Sequence, residues 1–127
     1  MISACLGQPD LAIKQIEHAM RLSPFDPSIG IWENGIALAH FVAGRYEDAV
    51  RWATMSLRDG GFGNTLTTLA AGQALLGNTD EARKAVALLQ SVHPSWRLSN
   101  LPDMRLIRRA QDREKFLEGL RLAGLPE

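Results

Sequence analysis

Leu6-Gly7-Gln8-Pro9-Asp10-Leu11-Ala12, Ala43-Gly44-Arg45-Tyr46-Glu47-Asp48-Ala49 and Leu76-Gly77-Asn78-Thr79-Asp80-Glu81-Ala82 align without gaps. Each reads glycine, two residues, an acid, one residue, alanine. The glycines recur 37 (Gly7 to Gly44) and 33 (Gly44 to Gly77) residues apart, and self-similarity at that period is the mark of a repeat architecture. Small or apolar residues continue four and seven places after each alanine: Ile16 and Ala19, Ala53 and Ser56, Val86 and Leu89. That is one face of a helix.

Each part of the motif has a physical role. Glycine takes the left-handed conformation that ends a helix, and an acid shortly after it falls in the first turn of the next helix, where the dipole favours negative charge. The motif therefore predicts a tight helix-turn-helix. The alanine stands where the second helix crosses the first, since only a small side chain lets two backbones approach closely. Pro24 and Pro94, each twelve residues after Ala12 and Ala82, stop the second helix; Gly61 takes that part in the middle unit.

Working outward, the pattern predicts helices over 2–6, 9–22, 29–43, 46–58, 64–76 and 79–91, with the stretch Ser23-Pro24-Phe25-Asp26-Pro27-Ser28 as the longest link between units. No stretch alternates apolar and polar residues between turn residues, so strands are not expected. Past Pro94 the pattern changes. Residues 95–103 mix Trp96, Leu98, Leu101 and Pro102 with polar side chains and read as an irregular segment packed on the last unit, and 104–110 as a further turn or two. Gln111 or Asp112 opens a final helix with Phe116, Leu117, Leu120 and Ala123 at helical spacing, closed by Gly124 and Pro126.

At these positions the chain resembles the tetratricopeptide repeat, a helical hairpin of about 34 residues. Ala12, Ile16, Ala19 and Pro24 match the second-helix positions of that family in the first unit, and Ala82, Val86, Leu89 and Pro94 do so in the third. In the middle unit Trp32 is one place off the expected aromatic, Ile36-Ala37 replaces Leu-Gly, and His40 replaces Tyr. The resemblance implies an all-α fold: an α-solenoid of antiparallel hairpins with a C-terminal capping helix, which covers the apolar face a solenoid end exposes. The expected organisation is a single domain, with 1–28 a truncated first repeat, 29–62 the second, 63–94 the third and 95–127 the cap. Residues 35–46 and 117–127 also resemble the C-terminal repeat regions of bacterial class III adenylate cyclases, those of rhizobial type above all. That likeness implies a regulatory or assembly region, either part of a longer cyclase or a free-standing relative, and assigns cyclase chemistry to none of these residues.

Composition bounds the function. With 127 residues, 46% hydrophobic and 22% charged, the chain has the makeup of one globular domain. Fourteen basic residues balance fourteen acidic ones, so no net field draws it to nucleic acid or an anionic membrane. One cysteine, Cys5, and three scattered histidines form neither a disulfide framework nor a zinc cluster. No apolar run approaches a membrane span and no signal-peptide pattern follows Met1, so a soluble, cytoplasmic chain is expected.

The candidates for chemistry each have a structural explanation. Glu47-Asp48 and Asp80-Glu81 are first-turn acids. Cys5 has no adjacent base to lower its pKa. Gly60-Gly61-Phe62-Gly63-Asn64 lacks the Gly-Lys-Ser/Thr ending of a phosphate loop. Arg105, Arg108, Arg109 and Arg113 are the one basic cluster, interleaved with Asp112, Glu114 and Glu118, and read as a solvated capping face. His40 falls between packed helices, and a small helical enzyme or ligand-binding domain with a pocket around it is the rival reading.

What remains is the concave groove lined by the first helix of each unit. Ile31, Asn34, Leu38 and Phe41, with Asn64, Thr67, Ala71 and Leu75, are its candidate residues for a protein or peptide partner. A groove that clamps a terminal carboxylate needs Lys, Asn and Arg; Asn34 and Thr67 stand there instead. The expectation is a non-enzymatic interaction module with no cofactor, no metal, no nucleic acid and no membrane. Counting back from Ala12 places Met1 inside a first helix lacking about two turns, a count that rests on the repeat period. Ile13, Ile16 and Met20 would then be under-covered, which predicts a homodimer through the N-terminal helices or cover from upstream repeats.

Overall fold

The computed structural model describes residues 9–22, 29–59, 63–98, 101 and 110–125. They form six α-helices and, among the described residues, no strand: α1 (Pro9–Leu22), α2 (Ile29–Val42), α3 (Tyr46–Arg58), α4 (Gly63–Leu75), α5 (Thr79–Val92) and α6 (Ala110–Ala123). The described residues are all-α, as the repeat pattern predicts, with helix ends within a residue or two of the expected ones. The expected helix over 2–6, Cys5, Gly7, the link 23–28 and the arginines at 105, 108 and 109 lie outside the described residues.

The turns follow the motif. Gly44 and Gly77 stand at φ 83° and 88°. Around Gly44, the Gly44 amide donates to the Phe41 carbonyl and the Arg45 amide to that of His40; Gly77 and Asn78 do the same to Ala74 and Gln73. This paired closure satisfies carbonyls that the helix end would otherwise leave bare. Gly124, at φ 101°, closes α6 by the same bonds, from Gly124 to Arg121 and from Leu125 to Leu120. The acids fall in first turns: Asp10 in α1, Glu47 and Asp48 in α3, Asp80 and Glu81 in α5.

Ala12, Ala49 and Ala82 are buried, and so are Ile16, Ala53 and Val86 four residues on and Ser56 and Leu89 seven on. Three helices thus bury the same register at the alanine and four places on; at seven places on α3 and α5 continue it, while Ala19 of α1 is half-buried. Charged residues cover their outer faces: α1, α3 and α5 are amphipathic. α2 and α4 differ. Ile36, Ala37, Leu38 and Ala39 are all fully buried, as are Thr68, Ala70 and Ala71, so these two helices are enclosed nearly all round.

The packing order explains that enclosure. α2 pairs with α3 and α4 with α5 across the short turns, α3 packs on α4, and α2 packs on both α1 and α4. α6 lies chiefly on α4 and less on α5. Between α5 and α6, Leu98 and Leu101 join the core, and His93 stacks on Trp96 with ring centroids 4.0 Å apart. The largest side chains of the core are Phe116, Ile36, Leu38, Leu89 and Leu120, each worth about 1.5–3 kcal/mol of burial. No helix of the described residues is long and apolar enough to cross a membrane.

Candidate partner-binding face

Ile31, Asn34, Leu38 and Phe41 share one side of α2, and Thr67, Ala71 and Leu75 stand at helical spacing on α4. α6 packs on α4 and meets α2 at Phe41. Phe116 meets Phe41 edge-on with centroids 5.2 Å apart, and Phe41 also packs against Tyr46 at 5.1 Å. Gly119 sits on Ala71 so closely that a Cβ there would stand 2.8 Å from the Ala71 carbonyl oxygen and 3.0 Å from its Cα. Leu120 and Ala123 complete the contact surface of α6, both buried.

The residues expected to line an open groove therefore divide. Asn34, Leu38, Phe41, Thr67 and Ala71 are buried, with Leu75 half-buried against the core. The buried ones are not accessible to a partner in this fold. Ile31 is 57% exposed. It lies ten residues before Phe41, about 15 Å along α2, away from the Phe41–Phe116 contact. Asn64 belongs to the first turn of α4 and its side chain lies outside what is described.

Ile16 is buried at 4% exposure and Ile13 is half-buried against the core, so the under-covering expected of them is corrected: they already have neighbours in the chain. Met20 is half-buried and lines, with Glu17, Arg21 and Trp52, a shallow cavity of about 280 Å³. The exposed apolar side chains of α1 are Leu11 and Leu22 instead.

His40 is held within a charged network. Its Nδ1 accepts a hydrogen bond from Arg45 Nε at 2.9 Å, and Arg45 also donates to Asp10 at 2.8 Å. Asp48 Oδ2 lies 4.0 Å from the same Nδ1 and accepts, through its other oxygen, from Arg51. Burial, reinforced by the Arg45 guanidinium, holds the His40 pKa below 6.5. The Nδ1 lone pair that a general base would use is spent on the bond to Arg45, which in turn ties the α2–α3 turn to Asp10 of α1. Among the described residues no three metal-ligating side chains come together.

A buried polar layer runs beside Ile31, and most of it was not anticipated. Ser56 donates to the Gly30 carbonyl and contacts Thr65 Oγ1 at 2.9 Å, linking α2, α3 and α4. Glu33 is 6% exposed. Burial, followed by a hydrogen bond to Asp59 and that residue's charge, raises its pKa from 4.5 to about 7, against the opposing pull of Arg58. Glu33 Oε1 and Asn34 Oδ1 are buried without a partner. The available signal was a lone acid inside the apolar run Ile29–Val42. No protein-family model, curated protein or solved structure matches the chain.

Proposed function

We propose that this chain is a non-enzymatic interaction module of tetratricopeptide-like hairpins, arranged as an α-solenoid, that binds a protein or peptide partner at the exposed part of α2 around Ile31. The observation that carries the reading is the recurrence of one register: Ala12, Ala49 and Ala82 buried at matching positions, with left-handed glycines at Gly44 and Gly77 in the turn between the two helices of a hairpin. Stacked hairpins of this kind present extended surfaces rather than enclosed pockets. The rival reading, a pocket around His40, is disfavoured because Nδ1 is already engaged. The likeness of residues 35–46 and 117–127 to adenylate cyclase repeat regions extends the proposal to a regulatory or assembly role. Ile31→Glu tests it: partner affinity is expected to fall roughly tenfold or more, with the melting curve unchanged. Unaltered affinity would move the site off this part of α2.

A further inference from the structure

We infer that the ion network around His40 is an acid-sensitive clasp on α1: when the ring takes up a proton at Nδ1 it exchanges Arg45 for Asp48 as its partner, and the tie from the α2–α3 turn to Asp10 loosens. The clasp is independent of where a partner binds.

Arg45 Nε can only donate, so its 2.9 Å bond to His40 Nδ1 exists only while that nitrogen carries no proton. Protonation sets the N–H of a cationic ring against the N–H of a guanidinium, donor against donor and charge against charge. An alternative acceptor is already in place. Asp48 Oδ2 stands 4.0 Å from the same nitrogen, while its Oδ1 takes the bond from Arg51; a shift of about 1 Å brings Oδ2 to hydrogen-bond distance.

The ring is what anchors Arg45. The Arg45–Asp10 pair is 38% and 78% exposed, and an ion pair so open to water holds little by itself. The His40 side chain, 14% exposed, fixes the guanidinium where it reaches Asp10 in the first turn of α1. α1 packs chiefly on α2, so this bridge adds a polar tie to an end helix with one main neighbour. Ile16 holds the following turns by apolar burial, and the loosening belongs to the first turn.

The charged groups that act on the ring are Arg45 from the turn, Asp48 and Arg51 from α3 and Asp10 from α1; α4 carries none, and α2 otherwise only Glu33, seven residues away. Burial and the arginines outweigh the acids, so the exchange of partners falls below pH 6.5.

Nuclear magnetic resonance on the full chain from pH 7.5 to 4.5 tests the clasp. The Arg45 Nε–H resonance should shift with the midpoint of the His40 ring, below pH 6.5. After correction for the intrinsic pH dependence of exchange, the Ile13 and Lys14 amides should exchange about two- to fivefold faster below that midpoint. Asp10→Ala, which cuts the tie and leaves His40 and Arg45 in place, should give the faster exchange at every pH with no step. Asp48→Asn removes the charge of the alternative partner and should lower the ring's midpoint. An Arg45 signal that ignores the ring's titration, a midpoint unmoved by Asp48→Asn, or the same exchange step in Asp10→Ala as in the wild type overturns the proposal.

Discussion

At Gly77 nothing lies within 4 Å of where a side chain would start, and φ is 88°, so Gly77→Ala carries backbone strain alone. The expected loss is about 1–2 kcal/mol, read from the midpoint of urea unfolding. Ile16→Glu acts differently: it places an unpaired carboxylate at a position 4% exposed, and should lower the melting temperature severely rather than alter association. Glu33 carries a pH dependence. Its folded-state pKa of about 7 lies above the ordinary 4.5, so between those values the folded chain binds more protons than the unfolded one and stability falls as pH rises. Glu33→Gln removes that slope, at most about 1.4 kcal/mol per pH unit. His40, with a lowered pKa, pulls the other way as pH falls below 6.5, but it is common to both chains and cancels when their melting temperatures are compared from pH 4.5 to 7. The roles of Gly44 and Gly77 were legible because a left-handed helix end is a local requirement. Glu33 was less so, since its perturbation depends on burial and on Asp59 at the far end of another helix.

Among elements, the crossing of α4 and α5 rests on Ala82, fully buried, beside the exposed Arg83. Ala82→Leu should overpack the hairpin and cost roughly 1–3 kcal/mol, while Arg83→Leu should stay within about half a kcal/mol; chemical denaturation of both checks it. Helix positions were legible to within a residue or two because start and stop signals are local: acids in the first turns, glycine after the last. The docking of α6 was not. A helical period shows that Phe116 and Leu120 face inward, but not which helix they meet, and the contact of Phe116 with Phe41 joins residues from opposite halves of the chain. The same gap made α2 and α4 look like open groove walls. Their mean apolar character all round was the sign that both faces are covered.

At the scale of the whole molecule, the proposed partner surface has Ile31 as its exposed residue. Affinity measured on the full chain with an isolated partner, wild type against Ile31→Glu, tests that claim most directly. At 57% exposure the substitution should leave the thermal unfolding curve in place. The expected result is a loss of roughly tenfold or more in affinity at unchanged melting temperature. A partner that binds both chains equally would contradict it.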